Sequence, residues 1–408
     1  MKTTKNYFYQ YQHIAIFLRA LGHGGVGRTM LNLAAGLAQK GHKIDLVLGR
    51  CQGRYLEDIP SGIEIFDLSV RSPYQALKTL PYIPKYSGAL IKILFTQIPH
   101  WILGAIPGLS RYLVRNSPDV LISALGYPNL VAILAREAAQ VDTSIIVTTR
   151  TNLSLEIKNA PRRRIRAKAE VARRFYPLAE AVVAVSNGVA DDLAEIAELP
   201  RDNITTIYNP TVTPDLLAKA KHPVGHAWFQ SGEPPVILAA GRFKPQKDFF
   251  TLIRGFARVR QSVSAKLIII GEGKLRPQLE VFIRRLGIAS EVDLPGFVAN
   301  PYSYMSRSDV FVLSSTWEGL PNVLIEALAC GCPVISTDCP SGAAEILANG
   351  QYGPLVPVGD EDALAQAMID CLNSPIPEEN LIQRGQEFSV ERACDQYLKL
   401  IENIHNKN

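Results

Sequence analysis

Four side chains have the type and spacing to do chemistry: Glu318 and Glu326, eight residues apart, and the cations Arg242 and Lys247, five apart. Carboxylates accept hydrogen bonds from sugar hydroxyls, whereas a guanidinium fork and an ammonium point charge hold a diphosphate and stabilise it as it leaves. Just beyond Glu318 a helix is expected to begin around Asn322 and Val323, and unpaired amides at a helix start carry partial positive charge. Together these groups suit an anionic nucleotide ligand.

The elements that must position them follow from pattern. Asp309–Ser315 is an apolar, β-prone run that reads as a buried parallel strand, and open α/β sheets place ligands at the carboxyl ends of such strands. Pro321 suits the first position of the next helix, whose stripe is Val323, Leu324, Ala327 and Leu328; Gly331 stops that helix and Pro333 forbids its return. Glu318 precedes the helix, so a turn must aim it. Arg242 and Lys247 follow the strand Pro235–Ala240, and further strands are expected at Lys266–Ile270, ahead of Gly271-Glu-Gly273, and at Val292–Leu294. Asp360-Glu-Asp362 reads as a helix N-cap rather than a set of metal ligands.

The first half repeats this strand and helix alternation without repeating the sequence. His13–Leu18 is a strand that runs into the glycine-rich turn Leu21–Arg28 and a helix over Thr29–Lys40. Glycines in such a turn let backbone amides approach an oxyanion, or serve packing alone. Strands follow at Lys43–Leu48, Gly62–Leu68, Asp119–Ser123, Ser144–Thr149, Ala181–Val185 and Ile204–Tyr208, and prolines punctuate an expected linker over 209–233. At 408 residues the chain is too long for one ordinary core, and two domains are the natural division.

Composition narrows the partners. The net charge of +5 divides unevenly, +9 through Asn209 and −4 beyond it. From Leu68 to Pro118 there is no Asp or Glu, while Arg71, Lys78, Lys85, Lys92, Arg111 and Arg115 are cationic. The apolar run Gly88–Gly108 within it is broken by Lys92, Pro99, His100 and Pro107, so it suits the interface of an anionic membrane better than a crossing; covering the sheet is the alternative. Arg162–Lys168 with Arg173 and Arg174 forms a second basic stretch, a solvated face or a site for phosphate-bearing lipid or a charged acceptor. Nucleic acid is not expected, because no aromatics are interleaved as stacking platforms. Six cysteines without CxxC spacing suit reduced thiols of the cytosol, and residues 1–11, polar and tyrosine-rich, read as a frayed tail rather than a secretory signal.

The Glu318-Gly-x-Pro321 turn, the second glutamate at 326, and Gly331-x-Pro-Val-x-x-Thr-Asp338 resemble the retaining nucleotide-sugar glycosyltransferases of family 4. That resemblance implies the GT-B fold: two Rossmann-like α/β domains facing across a cleft, with a C-terminal helix, about Pro377–Ile404, crossing back to the N-terminal domain. It implies an acceptor domain over 12–209, a donor domain over 233–385 and the crossover over 386–408. Glu318 would lie against the donor sugar, Glu326 would hold the ribose hydroxyls, and Arg242 and Lys247 would neutralise the diphosphate. Gly24, Gly25, Gly241, Gly319, Leu320, Pro321, Asn322 and Val323 complete the implied donor site, and Gly273 borders the base or packs. Many members keep a histidine where Tyr127 and Asn129 stand here, so no catalytic imidazole is carried over. Tyr127, Asn129, Arg150 and Asn152 are the acceptor candidates. The expected activity is metal-independent and cofactor-free transfer of a hexose or N-acetylhexosamine, with UDP as leaving group, to a membrane-associated or lipid-linked glycan. The expected place is cytoplasmic, peripheral to the inner face of the plasma membrane. Another GT-B enzyme, an epimerase or phosphorylase, and a silent sugar-binding membrane protein are the alternatives.

Overall fold

The computed structural model describes residues 12–22, 24–96, 100–159 and 162–406. The expected frayed tail lies outside the described residues, as do the side chains of residues 162–166 in the basic stretch. The chain forms two compact units. The first takes the chain up to Val185, Val189–Pro210 and the chain from Val390 on; the second takes Ser186–Gly188 and Thr211–Ser389.

The first unit is built on strands β1 (His13–Leu18), β2 (Lys43–Leu48), β3 (Glu64–Asp67), β4 (Val120–Ala124), β5 (Ser144–Thr149), β6 (Ala181–Ala184) and β7 (Ile204–Thr206). They pair in parallel in the order β3-β2-β1-β4-β5-β6-β7. The second unit has β8 (Val236–Ala240), β9 (Lys266–Ile270), β10 (Val292–Gly296), β11 (Val310–Leu313), β12 (Val334–Thr337) and β13 (Leu355–Val356), parallel in the order β10-β9-β8-β11-β12-β13. Each sheet therefore starts at its centre, winds to one edge, and returns to wind to the other. The winding reverses between β1 and β4 and again between β8 and β11, and such switch points are where open α/β sheets place ligands, beyond the carboxyl ends of the strands.

Helices cover both faces of these sheets, so the inner strands are apolar throughout instead of alternating. Every residue of β4, β5, β8 and β11 is buried, whereas the edge strand β3 has none buried and carries Glu64 and Asp67. Helix Gly25–Gln39 packs Met30, Leu33, Ala34 and Leu37 inward at helical spacing, beginning four residues ahead of the expected Thr29. Helix Phe249–Val259 does the same with Phe249, Leu252, Ile253 and Phe256, and the Asp248 side chain caps its start by accepting from Thr251 N.

Two expectations need correction. The proline-rich stretch after Asn209 is not a linker: Thr213 caps helix Pro214–Ala220, and Leu216 and Ala220 are buried in the second unit. Pro214 stands at the helix start, where its missing N–H costs nothing. The C-terminal helix is two helices, Glu378–Gln386 and Val390–His405. Between them the Phe388 carbonyl accepts from Thr211 N and Val212 N, each at 3.1 Å, and this long-range pairing ends the first helix. The first helix belongs to the second unit, and the second packs Tyr397, Leu398 and Ile401 into the first unit's core.

Residues 68–118 fold as helices Pro73–Tyr82, Pro84–Thr96, Trp101–Ala105 and Ile106–Asn116. Their inner faces, including Leu90, Leu94, Ile102, Leu103 and Leu109, are buried in the first unit, so covering the fold is one of their roles. Among the described residues, no helix is long and apolar enough to cross a membrane.

Candidate active site

The crevice between β8 and β11 assembles from two loops. The loop after β8 carries Gly241–Lys247, and the loop after β11 carries Ser314–Pro321. Lys247 Nζ donates to Glu318 Oε1 at 2.6 Å, and Ser315 Oγ donates to the same oxygen at 2.7 Å. The Lys247 and Glu318 side chains are only 13% and 11% exposed, so the pair is shielded but still reachable. Desolvation offsets much of the attraction in such a pair, and its value lies in holding both groups in one arrangement.

Local sequence explains why that arrangement is tight. A Cβ on Gly241 would stand 3.1 Å from Lys247 Cε and 3.3 Å from Cδ, so glycine makes room for the lysine stem. Gln246 Nε2 donates to Trp317 O at 2.6 Å, Thr316 N donates to Gln246 O at 2.8 Å, and Ser314 Oγ donates to Lys247 O at 2.8 Å. Ser315 is in turn fixed through its carbonyl, which accepts from Thr337 Oγ1 at 2.6 Å. The Glu318 carboxylate is therefore positioned by three strand ends. Arg242 is exposed on the same loop as Lys247.

Helix Asn322–Ala329 begins at Asn322, with Pro321 in the capping position rather than the first helical one. Pro321 has no side chain able to accept from the first-turn amides, which favours an anion there. Glu326 is buried within this helix, and Gly319, Leu320 and Pro321 are buried beneath its start, while Asn322 and Val323 are half-buried. Gly342, with φ +80°, was not a candidate from sequence; a Cβ there would stand 2.6 Å from Gly319 O, so its absence lets the turn after β12 lie against Gly319–Pro321. Ser341 beside it also takes a positive φ, +71°, a conformation that side-chain-bearing residues avoid. Cys339 is a further neighbour missed in the sequence. Burial pushes its thiol up to about 12, the Glu318 carboxylate adding to the effect, so it stays uncharged. Gly273 has a packing reason: a Cβ would lie 2.3 Å from Phe243 O, where two strand-end turns touch. Asp360 caps helix Glu361–Asn373 through Asp362 N and Ala363 N, as expected.

In the first unit Gly24 takes φ +147° with no atom within 4 Å of a Cβ position, and Gly25 opens the following helix. Glycine at 24 is thus required by backbone conformation, with open space beside it. The four acceptor candidates are all buried. Asn129 is fully buried, accepting from Ser123 Oγ at 2.6 Å and donating to Thr148 O at 3.1 Å and Tyr176 OH at 2.8 Å. Asn152 is the N-cap of helix Leu153–Lys158, accepting from Leu155 N at 3.0 Å. Arg150 is buried, donating to Asn209 Oδ1 at 2.6 Å and Thr29 Oγ1 at 3.0 Å. Its burial pushes the guanidinium down from its ordinary range, against the opposing effect of Tyr397. Tyr127 is buried and stacked on His100, ring centroids 5.2 Å apart. These side chains hold the first unit together instead of lining an open surface.

Residues 23–213 match the family described as Glycosyltransferase Family 4, and residues 227–388 match Glycosyl transferases group 1. The chain belongs to the GT-B glycosyltransferases. The Gly24 turn falls in the first match, and the Lys247–Glu318 pair falls in the second. Among relatives of this glycosyltransferase is the N-acetylgalactosamine-N,N'-diacetylbacillosaminyl-diphospho-undecaprenol 4-alpha-N-acetylgalactosaminyltransferase of Campylobacter jejuni. It is 29% identical over 359 residues, covering 88% of this chain and 89% of that protein. The lipopolysaccharide 1,6-galactosyltransferase of Escherichia coli is 27% identical, over 72% of this chain and 78% of its own. The fold matches that of Anabaena HepE, solved with UDP and glucose, with TM-score 0.70 at 18% identity, covering 96% of this chain and 100% of that one. It also matches the lipopolysaccharide outer core galactosyltransferase WaaB, with TM-score 0.69 at 19% identity, covering 97% and 99%.

Proposed function

We propose that this glycosyltransferase moves a hexose or N-acetylhexosamine from a UDP-activated donor, with retention at the anomeric carbon, to a glycan carried on a membrane lipid. The observation that carries the reading is the Lys247–Glu318 pair at the β8–β11 crevice. One of the three ammonium N–H groups of Lys247 is spent on Glu318, and the others can meet a diphosphate beside the helix start at Asn322. Arg242 adds a guanidinium at the crevice mouth, and Glu326 offers a buried carboxylate for ribose hydroxyls. In the transfer the bond between the anomeric carbon and the phosphate oxygen breaks, and its electrons stay on the diphosphate, neutralised by Lys247 and Arg242. The acceptor hydroxyl bonds to the same face of that carbon and gives its proton to the departing phosphate oxygen. Glu318 orients the sugar, and no protein base, metal or cofactor is required in this scheme.

The relatives' names support the donor and acceptor classes: the Campylobacter protein acts on a diphospho-undecaprenol-linked glycan, the Escherichia coli one on lipopolysaccharide, and HepE binds UDP. The reading places the protein in the cytoplasm, at the inner face of the plasma membrane, where an anionic surface meets its cationic first half. Incubation with a panel of nucleotide sugars and lipid extracts, with and without chelator, tests it. UDP release and an α-configured product by NMR are expected, unchanged by chelation. Absence of nucleotide release from every donor would leave a silent sugar-binding protein.

A further inference from the structure

The helix Pro84–Thr96 has two unlike faces. Tyr86, Ala89, Leu90, Ile93 and Leu94 are buried in the first unit, and the opposite stripe, Lys85, Gly88, Ile91, Lys92 and Phe95, is exposed. Phe95 is 61% exposed and Ile91 42%, and the neighbouring helix Pro73–Tyr82 adds Tyr82 at 66% and Tyr74 at 46%. Tyr74 and Phe95 stand side by side, ring centroids 5.6 Å apart. Large aromatic side chains left in water in one place mark an interaction surface rather than chance exposure. Lys78, Lys85 and Lys92 are exposed among them, and the sequence from Leu68 to Pro118 holds no Asp or Glu.

We infer that this stripe is the surface by which the protein docks on an anionic lipid bilayer, lying in the interface with Ile91 and Phe95 dipped among acyl chains. The inference rests on the reading of a lipid-linked acceptor and adds the surface that meets the lipid. Charge decides the occupant. Lysines between exposed apolar groups would oppose a second copy of the same face, whereas on a bilayer their stems run along the apolar stripe and their ammonium groups reach the lipid phosphates. Aromatic rings suit the headgroup level for the same reason, apolar in body and polar at the tyrosine hydroxyl.

Gly88 supplies a test that does not depend on damaging the fold. It lies in the middle of the exposed stripe, and nothing stands within 4 Å of a Cβ there. Gly88→Glu therefore inserts a carboxylate into the stripe while improving helix propensity. The full chain is sedimented with phosphatidylcholine vesicles, with and without phosphatidylglycerol, and UDP binding is followed in parallel by thermal shift. Binding is expected only with phosphatidylglycerol and is expected to weaken with salt. Each of Lys78→Gln, Lys85→Gln and Lys92→Gln should weaken it about fivefold, and Phe95→Ser and Gly88→Glu roughly tenfold or more, with UDP binding unchanged. Equal partition of Gly88→Glu and the parent chain would overturn the inference, as would a dimer in solution that Phe95→Ser dissolves. Loss of UDP binding in the parent chain with vesicle binding intact would instead count against the transfer reading alone.

Discussion

The two sheets share one winding pattern but use the polar residues at their strand ends in opposite ways. After β5 and β4 of the first unit, Arg150 and Asn129 turn inward and are consumed by neutral partners, Asn209, Thr29, Ser123, Thr148 and Tyr176. After β8 and β11 of the second, Lys247 and Glu318 meet each other at the surface of the crevice, with charge on both sides. A buried cation held by dipoles is fixed and serves folding. A shielded ion pair with donors to spare is fixed too, but it can exchange partners with an incoming phosphate or hydroxyl. Residue type at a strand end therefore does not identify a site; the remaining hydrogen-bonding capacity does.

That contrast can be broken by substitution. Lys247→Met should lower the transfer rate by about 10²–10³-fold, as loss of a preorganised charge at a leaving group does, and the loss should persist at temperatures where the variant is fully folded, whatever stability the stranded Glu318 carboxylate costs. Arg150→Met should instead bring a stability loss of about 2–4 kcal/mol from removing the buried guanidinium's hydrogen bonds to Asn209 and Thr29, with the KM for acceptor unchanged. Were Arg150→Met to raise that KM at unaltered stability, the two regions would not differ as claimed. Gly342→Ala sharpens the second side: the positive φ and the approach to Gly319 O should cost about 1–3 kcal/mol and weaken donor binding together, read by denaturation and by KM for the nucleotide sugar.

The smallest effect belongs to the first unit. Burial, with Lys40 adding, holds the His42 imidazole below its ordinary range, and its Nδ1 accepts from Gln12 N. A depressed pKa means that the unfolded chain takes up a proton more readily. The contribution to stability is present above the ordinary imidazole value of about 6.5 and is lost as pH falls through it toward the lower folded value. A His42→Gln chain should show a shallower fall in urea midpoint below neutrality than the parent.

Much of this was legible before the fold was known. Parallel strands covered on both faces must be apolar runs, so β8, β9 and β11 stood out, as did the turn and helix carrying Glu318 and Glu326. The partnership of Lys247 with Glu318 was not, because the two lie 71 residues apart and meet only where the winding reverses. Sequence alone groups Lys247 with its neighbour Arg242. The burial of the acceptor candidates is hidden for a related reason: nothing in the run Arg150-Thr-Asn152 tells whether Asn209 waits in the interior for the guanidinium. The break in the C-terminal helix was hidden as well, since Phe388 carries no helix-ending signal and its carbonyl is claimed by Thr211 and Val212 from the other end of the second unit.

Helix Val390–His405 has a consequence for how the protein is made. Tyr397, Leu398, Ile401 and Ile404 belong to the same core as β1 and helix Gly25–Gln39, so that core stays unfinished until residues 390–405 have left the ribosome. Expression of residues 12–210 alone would leave that hydrophobic seat bare and prone to aggregation, whereas supplying the closing helix as a separate peptide should restore a soluble fragment.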